Sequence, residues 1–295
     1  MTGSLDRPAE PAGESPVAIV CGGGSLPFAV AETAMRSGRR VVLFPLRGSA
    51  DPDKVAPYAH HWIAVAQVGK LCRLARQEGC HDLVFIGTVL RPTIGQLRFD
   101  LSTLRLLPRV VSMFRGGDGH LLAGVASVFE ERGFRVVGAH ELAPQILMPA
   151  GPLGRVEPSA RDRADIARGL ALLRAIGPFD VGQAVVVADN RVLAVEAAEG
   201  TDHMLAHLAE LRRAGQVRAA SRSGVLVKAP KPGQDWRIDL PSIGPRTIEG
   251  AARAGLAGIA VVAGSAIIAE PELIARSADR EQLFVLGVRD EAPQQ

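Results

Sequence analysis

The chain has 295 residues and a net charge of +3, with 47% hydrophobic and 22% charged residues. Domains commonly hold about 100–200 residues, so this length predicts two domains, and the composition excludes an intrinsically disordered protein. The small net charge and the 4% aromatic content argue against nucleic-acid binding, which needs a dense basic face or a platform on which bases stack.

Neither the cysteines nor the amino-terminal residues indicate export. Cys21, Cys72 and Cys80 are odd in number and lack a CxxC or His-paired spacing, which argues against disulfides and structural zinc and predicts a reducing cytoplasm. Residues 1–16 lack the basic and apolar regions of a signal peptide and are predicted to be a disordered tail. The longest nearly apolar run, 256–269, is shorter than the roughly 20 residues that cross a bilayer. We therefore expect a cytoplasmic protein.

The first half of the chain alternates strand patterns with helix patterns. Residues 17–21 form a buried-strand run, a glycine-rich loop follows, and 29–36 is typical of a helix. A second strand run at 41–46 completes a βαβ unit. Further patterns predict strands at 62–65, 83–86 and 135–137 and helices at 69–78 and 121–132. This order predicts a Rossmann-like α/β domain with a parallel sheet over residues 17–143.

The glycine-rich loop at 22–25 allows two interpretations. Its backbone could approach a phosphate or a nucleotide. The substrate-binding residues would then be Gly23, Gly24 and Ser25. Alternatively, the glycines only permit a tight turn from strand to helix. A nicotinamide dinucleotide fits this loop poorly, because Pro27 stands where the fingerprint has its third glycine and Arg47, not an acid, follows the second strand.

A basic and apolar segment lies at 91–115. It carries five arginines against a single acid, and the first three arginines are seven residues apart. The five are Arg91, Arg98, Arg105, Arg109 and Arg115. Such a segment could lie at a membrane surface or bind a lipid with an anionic head, which would make Arg91 a substrate-binding residue. It could equally be a core helix with a solvated arginine edge, interrupted by Pro108.

The second half begins after a proline-rich stretch. Residues 144–158 hold four prolines and two glycines without a helical or strand period, which predicts a linker between domains. The patterns beyond it predict a helix at 161–176, a hairpin at 184–187 and 192–195, strands at 225–228 and 237–240, and a helix at 247–257. Their mixture predicts a C-terminal mixed α/β domain over 159–290.

The sequence EAAEGTD, from Glu196 to Asp202, brings three carboxylates and a hydroxyl together where the hairpin ends and a helix begins. Such a corner can hold a divalent cation through carboxylate oxygens and turn backbone N–H groups towards a phosphate. Without any chemistry, Thr201 or Asp202 would be the helix N-cap and Glu199 a solvated turn residue. A histidine pair with the spacing of a zinc site follows, but without an HExxH motif these histidines are expected on the surface or in helix packing. The pair is His203 and His207.

A second group of charged residues lies between 225 and 247. Lys228, Arg237 and Arg246 supply positive charge, and Asp239 stands among them at the end of a predicted strand. If the fold brings Asp239 near the EAAEGTD corner, cations and carboxylates together would serve phosphoryl transfer. Taken alone, Asp239 could simply form an ion pair with Lys228 or Arg237.

Six stretches, in order, resemble one protein family. They are GGGSLP, RGGDGHLL, DVGQAVVV, VEAAEGTDHML, VLVKAPKPGQDWRIDLPSIGPRTI and AARAGLAGIAVVAG. From about residue 17 to 288 the chain is similar to the two-domain UDP-2,3-diacylglucosamine pyrophosphatases (LpxI type) of lipid A biosynthesis. The resemblance implies hydrolysis of UDP-2,3-diacylglucosamine to lipid X (2,3-diacylglucosamine 1-phosphate) and UMP, with Mg²⁺ and with water attacking the β-phosphorus. The alternative is a non-catalytic lipid or nucleotide-sugar binding protein.

The resemblance also implies roles for individual residues. The motifs RIDLP and EGTD supply the implied metal ligands Asp239, Glu199 and Asp202. The implied catalytic residues are Asp239, Asp202, Lys228 and Arg246, and the implied substrate-binding residues include Asp118, Gln183 and Thr201. Where RGGDGHLL commonly has a second acid in the family, this chain has Gly119, and Asp118 is also a candidate N-cap. A diacylated substrate implies work at the inner face of the inner membrane, as a monomer or a homodimer.

Overall fold

The computed structural model describes residues 15–89, 118–217 and 222–289. The chain divides into two compact units, the first formed by 1–116 and 123–143 and the second by 117–122 and 144–295. Most of the predicted tail and the whole basic segment at 91–115, with Arg91, lie outside the described residues.

The first unit contains a four-stranded parallel sheet with the order β2-β1-β3-β4. Its strands are β1 (Val17–Cys21), β2 (Val41–Pro45), β3 (Asp82–Ile86) and β4 (Arg135–Val136). The helices are α1 (Leu26–Arg36), α2 (Pro52–Val55), α3 (Val68–Gln77), α4 (Asp118–Glu130) and α5 (Ala139–Leu142). Of α4, residues 123–130 belong to this unit. Every residue of β1 and β2 is buried, as expected for a parallel sheet covered on both faces. The predicted α/β class is confirmed.

The predicted strand at 62–65 is wrong, and a proline explains why. Residues on either side of His61 pair with β2 only through isolated bridges, Leu43 with His60 and Leu46 with Ile63. The N–H of His61 reaches Leu43 O at 2.9 Å and that of Ile63 reaches Pro45 O at 3.1 Å. In a continuous parallel ladder a further hydrogen bond would lie between these two, and its donor would be the backbone N–H of Pro45. Proline has no backbone N–H. The ladder is therefore interrupted before a strand can form.

The second unit contains a mixed six-stranded sheet with the order β5-β12-β10-β8-β6-β7. Its strands are β5 (Gly151–Pro152), β6 (Ala184–Ala188), β7 (Arg191–Val195), β8 (Val225–Lys228), β10 (Gly258–Val262) and β12 (Phe284–Val288). The central strands β8, β10 and β12 are parallel, whereas β5 and β6 pair antiparallel with their neighbours. A separate parallel pair joins β9 (Ser242–Ile243) to β11 (Ile267–Ile268). This architecture confirms the predicted mixed α/β fold.

Helices cover both faces of the second sheet. They are α6 (Ala160–Ile176), α7 (Gly200–Arg213), α8 (Pro245–Arg253) and α9 (Pro271–Glu281). On one face, α6 packs Ile166, Leu170 and Leu173 against alternate residues of β6 and β8. On the other, buried residues of α7, α8 and α9 form a second core with the opposite side chains of the same strands. The sheet therefore separates two apolar layers.

The proline-rich stretch 144–158 takes part in the second unit's sheet and core. Met148 is only 1% exposed and belongs to the core of α7 to α9. Its backbone N–H donates to Ala266 O at 2.8 Å, and β5 pairs with β12. A stretch without a regular period can thus still be ordered, because its apolar side chains bury and its backbone pairs with an existing sheet edge.

A buried acid of α6 holds the hairpin turn between β6 and β7. Asp165 accepts the backbone N–H groups of Asp189 at 3.1 Å and Asn190 at 2.7 Å. Both turn residues have positive φ, 54° and 60°, which fits the two-residue turn whose twist matches antiparallel strands. The predicted hairpin is confirmed, and its geometry depends on a side chain from a distant helix.

Replacing Asp165 by alanine is expected to lower the free energy of unfolding by about 1–3 kcal/mol, since two N–H groups lose their acceptor. Urea unfolding followed by circular dichroism measures this loss. The matched control is Arg168→Ala, because Arg168 reaches the same turn through the exposed side chain of Asn190 at 3.1 Å. The control should change stability by less than about 0.5 kcal/mol. Equal losses in the two variants would contradict the assigned role of Asp165.

None of the helices in the described part of the chain combines the length and the apolar character needed to cross a membrane.

Candidate active site

Three segments of the second unit meet at one edge of its sheet. Gln183 precedes β6, Glu196 follows β7, and Lys228 is the last residue of β8. The backbone N–H of Ala229 donates to Gln183 O at 3.1 Å, and that of Gln183 donates to the Glu196 carboxylate at 3.1 Å. Because β6 runs antiparallel to both neighbours, its start lies beside their ends. Residues distant in sequence are thereby brought together.

Lys228 is a buried cation at this edge. The residue is 5% exposed, and its Nζ donates to Thr201 Oγ1 at 2.9 Å and to Ser242 O at 3.1 Å. Burial lowers the pKa of the Lys228 ammonium, while the negative charges of Glu196 and Asp202 oppose that shift. The carboxylates therefore help to keep a charged lysine in a place that water reaches poorly.

Glu196 is the carboxylate of this cluster. It is 8% exposed, its Oε1 accepts the Thr201 hydroxyl at 2.7 Å, and its Oε2 accepts the Gln183 N–H. By contrast, Glu199 is exposed, and its Oε1 accepts the N–H of Ala197 at 3.3 Å. The sequence contained the three acids of EAAEGTD but did not show that Glu196 is the buried one.

A glycine carries the signal that could have singled out Glu196. A Cβ placed on Gly182 would lie 2.1 Å from the carbonyl oxygen of Glu196, closer than any real contact. Only glycine therefore lets the chain entering β6 approach the chain leaving β7. In the motif DVGQ this residue fixes the distance across which Gln183 donates its N–H to the Glu196 carboxylate.

The start of α7 differs from the prediction. The N-cap position belongs to Glu199, and both Thr201 and Asp202 lie in the first turn. Neither side chain is used to cap the helix, because the Thr201 hydroxyl donates to Glu196 and the Asp202 carboxylate pairs with Arg246 at 2.6 Å. This ion pair is exposed, with 81% of the Arg246 side chain and 42% of the Asp202 side chain accessible. It is therefore weak, and Arg246 can exchange Asp202 for another anion.

Asp239 lies in a turn, so the predicted strand at 237–240 is wrong. The backbone N–H groups of Ile238 and Asp239 donate to Asp235 O at 3.1 and 2.9 Å. The Asp235 carboxylate accepts the N–H of Arg237 at 3.1 Å and its guanidinium at 2.7 Å, and these bonds from Arg237 lower the pKa of Asp235. A local side-chain bond of this kind competes with strand pairing. Asp235 thus shapes the turn that carries Asp239.

Sequence reasoning did not single out Gln234. Its Nε2 donates to Gln183 Oε1 at 3.2 Å, and its Oε1 accepts the backbone N–H of Lys231 at 2.8 Å. The amide therefore ties the loop after β8 to the side chain of Gln183. Its position directly after the Pro-Gly turn of KAPKPGQ offered no signal beyond a polar loop residue.

Two family models match this chain, one in its first half and one in its second half. The LpxI N-terminal domain model matches residues 16–146, and the LpxI C-terminal domain model matches residues 149–286. The UDP-2,3-diacylglucosamine pyrophosphatase LpxI of Caulobacter vibrioides is 43% identical over 270 residues, which cover 92% of this chain and 96% of the relative. The chain belongs to the LpxI family.

The LpxI C-terminal domain match contains the whole hydrogen-bonded cluster of Gln183, Glu196, Thr201, Lys228 and Ser242. It also contains the starts of α7 and α8, the helices that bring Asp202 and Arg246 together. The edge of the second sheet is therefore the candidate site.

In this LpxI-family protein the described acids do not form a ready three-carboxylate metal site. No group of three His, Cys, Asp or Glu side chains that could hold a metal ion occurs within 15–89, 118–217 and 222–289. Glu199 and Asp202 each have a hydrogen-bonding partner already. Mg²⁺ is commonly held by one or two carboxylates together with substrate phosphates and water. The donor set fits that mode of binding. His203 and His207 are exposed on α7, as predicted.

The glycine-rich loop of the LpxI N-terminal domain packs closely against the backbone of residues 86–88. Gly22 and Gly23 donate their N–H groups to Ile86 O at 2.9 Å and Thr88 O at 2.7 Å. A Cβ on Gly22 would lie 2.6 Å from the backbone of Gly87. These contacts favour the tight-turn interpretation for the first two glycines. Gly24 has a φ of +93° and Ser25 precedes α1. Phosphate binding by Gly23, Gly24 and Ser25 remains a prediction.

Two other predicted substrate-binding residues have no described side chain. Arg91 lies outside the described residues. Asp118 is the first residue of α4, and the structure describes its backbone only.

Proposed function

We propose that this protein hydrolyses the pyrophosphate bond of UDP-2,3-diacylglucosamine to lipid X and UMP in lipid A biosynthesis. The relative from Caulobacter vibrioides, 43% identical, is named for this substrate. The observation that carries the proposal is the buried Lys228 ammonium, held at 2.9 Å from Thr201 at the start of α7. A pyrophosphate is the kind of group that such a site can stabilise.

The electrostatics of the edge support binding of an anion. Two of the three N–H groups of Lys228 are used by Thr201 and Ser242 in the described part of the chain, which leaves one for a phosphoryl oxygen. The helices α7 and α8 both begin beside this cluster, and helix N-termini favour negative charge. Arg246, in the first turn of α8, adds an exposed guanidinium that can turn from Asp202 to the substrate.

The proposed reaction is an in-line attack of water on the β-phosphorus. A new P–O bond forms at that phosphorus, the bond to the bridging oxygen breaks, and UMP leaves with that oxygen. Asp239 accepts the proton of the attacking water. Lys228 and Arg246 stabilise the charge that develops on the phosphoryl oxygens, and Gln183 and Thr201 position the substrate.

Mg²⁺ is part of this proposal, held by one or two of the carboxylates of Asp239, Glu199 and Asp202 together with substrate phosphates and water. When bound, the ion neutralises pyrophosphate charge and lowers the pKa of a coordinated water. Chelation by EDTA is expected to abolish UMP release, and an excess of Mg²⁺ should restore it. Chromatographic detection of UMP measures both effects, and EDTA already saturated with Mg²⁺ is the control. Turnover at the full rate in EDTA would contradict a role for the metal.

Isotope labelling tests the reaction itself. In H₂¹⁸O, purified protein given UDP-2,3-diacylglucosamine should incorporate the label into the phosphate of lipid X, as measured by mass spectrometry. Label in UMP would instead indicate attack on the α-phosphorus. Binding of the substrate without release of either product would support the alternative, a non-catalytic lipid or nucleotide-sugar binding protein.

The diacylated substrate supports a location at the cytoplasmic face of the inner membrane, where the protein would be peripheral and monomeric or homodimeric. The arginines at 91–115 are the proposed contact with anionic lipid. Co-sedimentation with anionic vesicles that weakens as salt increases would support this location, and sedimentation independent of lipid charge would not.

A further inference from the structure

We propose that Glu196 is a positioning residue, which orients the Thr201 hydroxyl and, through it, the Lys228 ammonium against the substrate pyrophosphate. This inference rests on the proposed hydrolase function and deepens it. Glu196 was the least favoured acid of EAAEGTD on sequence grounds, yet it is the one that is buried, at 8% exposure.

The direction of each hydrogen bond fixes the arrangement. Thr201 has a single hydroxyl hydrogen, and it points to Glu196 Oε1 at 2.7 Å. The lone pairs of Thr201 Oγ1 therefore face Lys228, whose Nζ lies at 2.9 Å. With a second N–H fixed on Ser242 O at 3.1 Å, the remaining N–H of the ammonium has a defined direction. Glu196 sets this direction without touching Lys228 itself.

Only a carboxylate satisfies the surroundings of Glu196. Its two oxygens both act as acceptors, one for the Thr201 hydroxyl and one for the backbone N–H of Gln183 at 3.1 Å. A glutamine in this place has one oxygen and one NH₂ group. The NH₂ would face either the Gln183 N–H or the Thr201 hydroxyl. If the NH₂ faces the Thr201 hydroxyl, that hydroxyl must turn to accept from it. The hydroxyl hydrogen then no longer points to residue 196 and disturbs the hydrogen bond that Lys228 donates to Thr201.

The contacts distinguish this role from ordinary core support. The side chain of Glu196 bonds to Gln183 and Thr201, two residues proposed to bind the substrate, and its charge balances the buried Lys228. Removal of one member of a buried pair of opposite charges leaves the other uncompensated. A merely structural acid would bond to groups remote from the reaction.

The test compares kcat, KM and the melting temperature of full-length variants with UDP-2,3-diacylglucosamine. Glu196→Gln should lower kcat by about 10²-fold while KM changes little. Its melting temperature should fall, because Lys228 loses an opposite charge, but the protein should stay folded at the assay temperature. Thr201→Val should give a similar loss of kcat, and the double variant should lose no more than either single one, since both break the same chain of bonds. Thr201→Ser, which keeps the hydroxyl, should recover most of the loss seen in Thr201→Val. The control is Glu249→Gln, an exposed acid of α8, with unchanged kinetics.

The outcomes separate this inference from the proposed function. If wild-type protein releases UMP and Glu196→Gln retains its kcat, the positioning role is refuted and the hydrolase function stands. A loss of kcat in Glu196→Gln that Thr201→Val does not share, or effects that multiply in the double variant, also refutes it. Wild-type protein that releases no UMP refutes both.

Discussion

Replacement of Lys228 by methionine is expected to lower kcat for UMP release by about 10²- to 10³-fold, the range seen when one preorganised donor is removed from a charge-stabilising site. Lys228 is 5% exposed, so its charge acts on a neighbouring phosphoryl group with little screening by water. Methionine keeps an unbranched apolar side chain but cannot donate to Thr201 or Ser242. The rate should therefore fall because charge stabilisation is lost.

Lys231→Met is the matched control for that experiment. Lys231 lies three residues further along the chain, in the loop after β8, and forms an ion pair with Asp180. The Lys231→Met variant should keep a largely unchanged kcat. Because Lys228→Met also leaves Glu196 buried without its opposite charge, circular dichroism must establish that the assayed protein is folded. A folded Lys228→Met protein with wild-type kcat would rule out the proposed charge stabilisation.

Replacement of Asp239 by asparagine is expected to lower kcat by about 10²- to 10⁴-fold, the usual contribution of a general base. Asparagine has nearly the same shape but cannot accept a proton from water at neutral pH. The backbone of Asp239 is held by Asp235 O at 2.9 Å, so the turn does not depend on the Asp239 side chain for that bond. Substrate affinity, measured by calorimetry, should change far less than kcat.

Asp235→Asn provides the comparison for Asp239→Asn. Asp235 lies in the same turn, and its carboxylate is held by Arg237 at 2.7 Å. Its replacement removes an ion pair and should reduce stability more than kcat. If Asp239→Asn turns over substrate at the wild-type rate, Asp239 is neither the base nor a required metal ligand. Equal losses of kcat in both variants would indicate that only the shape of the turn matters.

Together these residues preorganise the charges at the edge of the second unit's sheet. Lys228 and Glu196 are buried, and Thr201 connects them, whereas Asp202 and Arg246 are exposed and can exchange partners. A buried, fixed part suits stabilisation of developing charge. An exposed, exchangeable part suits capture of an anionic substrate. The proposed chemistry uses both.

The sequence by itself determined much of the secondary structure. The strands at 17–21 and 225–228 and the hairpin around Asp189 and Asn190 follow from local apolar patterns and turn residues. Local rules failed where a single group decided the outcome. At 62–65 the missing N–H of Pro45 interrupts a ladder, and at 237–240 the carboxylate of Asp235 favours a turn.

Tertiary structure alone decided which members of EAAEGTD act together. From the sequence, Glu199 and Asp202 are the stronger candidates and Glu196 the weaker one, and propensity and periodicity describe only neighbours along the chain. Burial and hydrogen-bond direction depend instead on what other segments bring. Gly182 lets two strands approach, Gln183 donates its N–H, and β8 ends in Lys228 beside Thr201. Since none of these contacts is local, only the folded sheet identifies Glu196 as the buried carboxylate.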